Sequence, residues 1–210
     1  MHSTALSRSF TVTLAGYASG AAWLFVPQIA SSGKLPNLIL IAFLLPTTAA
    51  VLLWLFYAIE SRRPVCAREP GDSAATERIL LRIIVFICGL HGLVLLQLVE
   101  VPWVRQWAPE LAFVLVGGLL VSVGNLLPTT RPNALVGIRT PRSLRSRRFW
   151  MEINRFGGYV SVALGLVLIA AAAFLPFEQA GRVAGVGLLT AVAFVVVRYH
   201  TLARGSTVSS

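Results

Sequence analysis

The chain has 210 residues, of which 56% are hydrophobic and 12% charged, with a formal charge of +10. A water-soluble domain carries about a quarter charged residues and could not hide this much apolar surface, so much of that surface must face lipid. The 18 Lys and Arg against 8 Asp and Glu fall between apolar runs rather than along one soluble face, so no direct nucleic-acid contact is expected.

A hydrocarbon core of about 30 Å takes about 20 helical residues to cross. Apolar runs of that kind occur at 10–29, 38–59, 79–98, 111–127, 159–177 and 183–200. They predict an all-α, polytopic membrane protein of about six transmembrane helices. The first run follows Arg8 and holds Ala18, Ser19 and Gly20, features that a signal peptide shares. Its apolar stretch continues through Trp23, Leu24, Phe25 and Val26, too long for an h-region, so it is read as a helix. Pro46 interrupts the second run, where a kink is expected. Gly16 and Gly20, and likewise Gly181 and Gly185, recur at a spacing that lets helix backbones approach, most simply within one molecule.

Charge sets the expected orientation. Arg8, the 60–78 and 128–158 loops and the C-terminal end hold 14 of the basic residues, while the opposite side has only Lys34, Arg105 and Arg182. Arg82 lies at a helix end, where its head can snorkel to the interface. By the positive-inside rule, both termini and the long loops are expected in the cytoplasm, in a multi-pass protein of the cell membrane. Cys66 in a polar loop and Cys88 in an apolar run sit at different depths, which makes them poor disulfide partners and predicts two free thiols.

Few residues are equipped for chemistry. The polar groups at depth are His91 and Gln97 in the third run, with Ser122 and Asn125 in the fourth. A lone intramembrane histidine is most often packed and hydrogen-bonded; the functional alternative is a proton relay, with His91, Gln97 and Asn125 lining a polar path. No HExxH site, nucleophile elbow, Walker loop or paired carboxylate is present in the sequence. Neither catalysis, a metal nor a cofactor is expected.

The fourth loop is the informative stretch. Thr140-Pro141 reads as an N-cap followed by proline at the first helical position. A helix from there places Phe149, Ile153 and Phe156 on one face, with Arg148, Glu152 and Arg155 on the next, so that Glu152 can pair with both arginines. A short amphipathic interfacial helix is therefore expected in this loop, ahead of the fifth span. Gly137 permits a tight turn before Ile138-Arg139. The arginines attract anionic lipid headgroups, and a plain positive-inside anchor accounts for the same residues.

The order Gly124-Asn125, Pro132-Asn133, Gly137-Ile138-Arg139-Thr140-Pro141, Trp150 and Asn154-Arg155 resembles the signature of the SdpI family of small bacterial membrane proteins. That signature runs G-N, a spaced N, G-[IL]-R-T-P-W-T-L, a spaced W, then [HN]-R. Arg142 and Ser143 stand where the family usually has Trp and Thr. Tyr199-His200 and the outward loop with Pro27, Gly33 and Pro36 also look similar to the family. The resemblance implies a two-helix N-terminal membrane region over 1–78 and an SdpI-like four-helix region over 79–210. It implies immunity to, or sensing of, an extracellular toxin, with a cytoplasmic repressor sequestered at the membrane. Its candidate binding residues are Asn125, Asn133, Gly137, Arg139, Thr140, Pro141, Trp150, Asn154 and Arg155. The other functional reading is a small transporter or permease component, or an accessory subunit of a membrane complex, using His91 and Gln97.

Overall fold

The computed structural model describes residues 4–26, 35–62, 72–133 and 135–205. Cys66, Lys34, Arg63 and Arg68 lie outside these residues, as do Pro27, Gly33, His2 and Ser210. Among the described residues the structure is helical: α1 (Thr4–Leu24), α2 (Leu35–Ser61), α3 (Asp72–Leu98), α4 (Pro102–Leu126), a 3-10 turn (Leu127–Thr129), α5 (Pro141–Arg145), α6 (Arg147–Phe174) and α7 (Phe177–Gly205).

Five helical stretches are long and apolar enough to cross a bilayer: Ile39–Ser61, Ala74–Leu98, Pro102–Thr129, Arg147–Phe174 and Phe177–Arg204. The protein is thus an all-α, multi-pass membrane protein. Helix α1, at 21 residues, has the length but a more polar composition. Its Ser9, Thr11 and Thr13 hydroxyls donate to the carbonyls of Ala5, Ser7 and Ser9 at 3.0, 3.1 and 2.9 Å, satisfying themselves within the helix.

The helices extend beyond the apolar runs. Helix α1 begins before the expected 10–29 segment and ends at Leu24. Helix α4 starts at Pro102 rather than near 111, running through Pro109 with Trp103 and Trp107 exposed. Aromatic residues there suit the headgroup zone, which a hydropathy run does not register. Helix α6 begins at Arg147, so Phe149, Ile153 and Phe156 belong to the fifth long helix and not to a separate interfacial one. The short helix of the loop is α5 alone. Helix α2 remains helical on both sides of Pro46.

The chain forms two compact units, Met1–Glu69 with Leu80–Leu115 and Pro70–Ile79 with Val116–Ser210. Helices α3 and α4 contribute residues to both. In the first unit α1 packs on α2, where the Tyr17 hydroxyl donates to the Thr47 hydroxyl at 3.0 Å and the Tyr17 ring stacks on Phe43. Gly16 faces Cys88 and Pro46, and Gly20 lies so close to the Ala42 carbonyl that no side chain fits between them. The first glycine pair therefore packs within the molecule. Around Gly181 and Gly185 the space is open.

In the second unit α6 and α7 form an antiparallel hairpin turning at Leu175-Pro176. The C-terminal half of α4 crosses α6 with backbone against backbone at two levels. A Cβ added to Gly117 would stand 2.6 Å from the Gly165 carbonyl oxygen, and one added to Gly124 would stand 2.7 Å from that of Gly158. The two levels are about two helical turns apart on both helices, so the helices run side by side rather than touching at a point.

Candidate functional site

The loop after α4 folds back onto the first turns of α6, and its own polar atoms build it. Asn133 closes the first turn: its Oδ1 accepts from the Leu135 and Val136 N–H groups, each at 2.8 Å, and its Nδ2 donates to the Arg131 carbonyl at 2.7 Å. An Asx turn of this kind satisfies backbone groups that no helix would. Gly137 follows at φ +117, in the region that L side chains rarely adopt. An added Cβ there would lie 2.7 Å from Asn154 Oδ1 and 2.8 Å from the Trp150 ring. Glycine is required twice over, by torsion and by space.

Trp150 and Asn154 are each 0% exposed, on successive turns of α6. The Trp150 Nε1–H donates to the Thr130 carbonyl at 3.0 Å and shares the Thr130 hydroxyl oxygen at 3.3 Å. Asn154 Oδ1 accepts from the Ile138 N–H at 2.7 Å, while its Nδ2 donates to the Trp150 carbonyl at 3.0 Å. Every strong hydrogen-bonding group of these two side chains is used inside the protein. Ile138 inserts its side chain against Gly157 and completes an apolar patch with Phe149, Ile153 and Ala203.

Thr140 is the N-cap of α5 and Pro141 stands in its first turn, as the sequence predicts. Ser143 completes a reciprocal capping box: its N–H donates to Thr140 Oγ1 at 3.1 Å, and its Oγ accepts from the Thr140 N–H at 2.8 Å. The buried Ser143 hydroxyl also donates to the Ile138 carbonyl at 2.9 Å. Arg142 donates from Nη1 to the Ala203 carbonyl at 3.2 Å, near the C-terminal end of α7. A guanidinium there meets carbonyls that the helix leaves unsatisfied.

The candidate residues consequently divide. Gly137, Trp150 and Asn154 meet directly, and Asn133, Thr140 and Pro141 shape the same loop. Arg139, Asn125 and Arg155 are exposed. Arg139 is held between Ile138, whose N–H and carbonyl are both bonded to buried side chains, and the capped Thr140. Its backbone is fixed and its guanidinium is presented outward, with no partner among the described residues. Arg155 does not share Glu152 with Arg148, contrary to expectation. Glu152 bonds Arg148 at 3.1 Å, whereas Arg155 Nε donates to the Tyr159 hydroxyl at 3.0 Å and the guanidinium lies over that ring. The i to i+4 geometry favours Tyr159 for a long side chain reaching along the helix.

The polar groups of α3 are not aligned. His91 is 1% exposed, facing Gly20 of α1 with Nε2 3.5 Å from an added Cβ. Neither ring nitrogen has a well-formed hydrogen bond among the described residues. The exposed Gln97 lies six positions on, about 240° around the helix. The two therefore occupy different faces. Cys88 is half-buried, its thiol directed at the Val12 carbonyl at 3.6 Å.

Sequence reasoning missed Thr130, Ser143 and Ser146, whose roles depend on the fold of the loop. It also missed Glu77 and Glu110, which lie inside α3 and α4 with one carboxylate oxygen each buried and unpartnered among the described residues. Both stand just outside an apolar run, so counting helical turns outward from each run would have included them. Among the described residues, no group of three or more His, Cys, Asp or Glu side chains gathers as a metal site.

Comparison with known proteins places the loop and the helices after it. Residues 129–199 match the model of the SdpI/YfhL protein family. Over 55 residues the chain is 36% identical to the uncharacterized protein YfhL of Bacillus subtilis (strain 168), covering 25% of this chain and 50% of that one. The chain thus spans about half the length of the curated relative it matches. No solved structure matches. Over residues 129–199, from the threonine that precedes the Trp150 acceptor to the tyrosine packed on Phe149, this membrane protein is similar to the SdpI/YfhL protein family.

Proposed function

We propose that the protein is a non-enzymatic SdpI-type membrane protein that protects against, or senses, an extracellular toxin by engaging a regulator at the cytoplasmic face. The observation that carries this reading is the rigid presentation of Arg139. Buried Trp150 and Asn154, with Gly137, fix the loop through four hydrogen bonds and leave the guanidinium exposed. A preorganised planar donor fork suits a carboxylate, a phosphate or paired carbonyls, and a lysine ammonium reproduces it poorly.

The experiment compares Arg139→Lys with Arg145→Lys in toxin-exposed cells at matched membrane levels. Arg139→Lys loses most protection, and Arg145→Lys keeps it, because the exposed Arg145 serves only the charge bias. Equal survival of the two variants reduces the loop to a generic basic patch and overturns the reading. The orientation belongs to the same proposal: reporters fused at Ser210 and Lys34 report the inside and the outside respectively, and the reverse pattern rejects a cytoplasmic Arg139.

One observation favours a second reading, a small transporter or an accessory subunit: the buried, unpartnered imidazole of His91. It predicts pH-dependent solute flux in vesicles that is lost in His91→Gln. Such flux, together with no toxin protection by the parent protein, would promote transport over immunity.

A further inference from the structure

The second unit has an apolar groove of about 600 Å³ running between α6 and α7. Phe156, Val160, Leu164 and Val167 form one wall, and Ala191 and Phe194 the other. Along α6 it extends for about 16 Å, close to half of the roughly 30 Å hydrocarbon core, the depth of one leaflet. Its lining contains almost no polar surface.

One end of this groove is different. Arg155 lies over the Tyr159 ring and Arg198 over the Phe156 ring, each guanidinium carbon 6.0 Å from the ring centre. Tyr159 and Phe156 are themselves lining residues, so both arginines stand at the rim. Arg155 is further held by its bond to the Tyr159 hydroxyl at 3.0 Å. Neither guanidinium pairs with a carboxylate among the described residues, because Glu152, one turn earlier on α6, is bonded to Arg148. With Arg155 Nε on the Tyr159 hydroxyl, the terminal Nη groups of both guanidinia are left to donate, and a guanidinium edge matches the oxygens of a phosphate.

We propose that this groove binds one acyl chain of an anionic phospholipid, with the lipid phosphate held between Arg155 and Arg198. A leaflet-deep apolar channel with a paired cationic rim is complementary to that molecule along its whole length. A second copy of the chain is the poorer occupant. Copies of one chain insert in the same orientation, so a twofold pairing through this groove brings two Arg155–Arg198 pairs to the same depth, where they repel. The first unit supplies an internal control. A groove of about 600 Å³ also runs between α1 and α2, lined by Phe10, Leu14, Leu53 and Trp54. Among the described residues, no arginine is stacked on a ring at its rim.

The test is native mass spectrometry of the full chain in detergent, titrated with phosphatidylglycerol and with phosphatidylcholine of identical chains. The wild-type protein retains one phosphatidylglycerol in preference to phosphatidylcholine. Replacing both rim arginines, Arg155→Gln with Arg198→Gln, weakens that retention by about tenfold or more. Ala163→Trp, which fills the groove from α6, abolishes it, while Ala50→Trp in the α1–α2 groove leaves it unchanged. Glycerophosphoglycerol, the headgroup without chains, does not compete at equal concentration. Equal retention of the two lipids overturns the proposal, as does undiminished retention in the double arginine variant. Loss only in Ala50→Trp assigns the lipid to the other groove. Competition by the chain-free headgroup reduces the site to a phosphate contact, and dimers abolished by Ala163→Trp identify a second copy as occupant; either result also overturns the proposal. The exposed arginine pair keeps the test decisive if Ala163→Trp does not fold.

Discussion

The contact of α1 with α3 in the first unit and the loop before α6 in the second hold buried polar groups in opposite ways. In the second, buried Trp150, Asn154 and Ser143 have their hydrogen bonds made, and those bonds give an irregular loop a single conformation. In the first, His91 and Trp23 are also buried, yet neither the His91 ring nitrogens nor Trp23 Nε1 makes a well-formed hydrogen bond among the described residues. Its helices meet through small residues, with Gly20 on the Ala42 backbone and Gly16 on Cys88, as α4 and α6 of the second unit also do at Gly117–Gly165 and Gly124–Gly158. The family match falls wholly in the second unit. A hydrogen-bonded loop needs particular residues at particular positions and so leaves a recognisable sequence pattern. Helix packing through small residues accepts many sequences.

The largest test of this contrast is Gly137→Val. A β-branched residue at φ +117 costs about 1–2 kcal/mol in torsion alone, and collision with Asn154 and Trp150 adds a similar amount or more. The loop should unfold locally, seen as rapid amide exchange and proteolysis over 131–146 with the helices intact. Undisturbed exchange there means that the Trp150–Asn154 clasp does not depend on the turn.

Next in size is Asn154→Leu, with the same branching and heavy-atom count but without the amide. It leaves the Ile138 N–H without its acceptor at a cost of about 1–3 kcal/mol, read as a lower thermal midpoint in detergent. His91→Leu in the first unit sharpens the comparison, because removing polar nitrogens that have no partner should be neutral or stabilising by about 1 kcal/mol. A loss as large as that of Asn154→Leu would establish that His91 is hydrogen-bonded in the membrane and that the contrast is false. The smallest effect belongs to Glu152→Gln. Its bond to Arg148 is exposed, and the midpoint should move by no more than about 0.5 kcal/mol equivalent.

Much of the fold was legible because apolar runs near bilayer length leave few alternatives, and the Thr140-Pro141 cap and the Gly137 turn carry their own local signals. Helix ends were less legible. Residues 147–158 are too polar for a hydropathy run, yet they continue α6 because Ser146 caps them and Phe149 and Ile153 are buried on one face. The site was legible as a set of residues but not as an arrangement. Trp150 and Asn154 stand in the motif beside Arg139 and Arg155, and sequence alone gives all four equal standing. Only the fold separates the pair directed inward, which builds the loop, from the pair directed outward. Glu152 had two arginines in reach, and the choice between them depended on Tyr159, whose hydroxyl takes Arg155.

Ser146 is at once the C-cap of α5 and the N-cap of α6, its hydroxyl accepting from the Phe149 N–H at 3.3 Å. Two rigid rods therefore share a one-residue joint, and the direction of the shorter rod is set chiefly by the two torsions of that residue. The Arg142 bond to the Ala203 carbonyl acts as a stay, fastening the free rod to the far end of the hairpin. With the stay released, the buried Ser143 hydroxyl still ties the start of the rod to the Ile138 carbonyl, so only its end, at Leu144 and Arg145, is loosened. Arg142 holds that end by a single bond, which a competing anion could take.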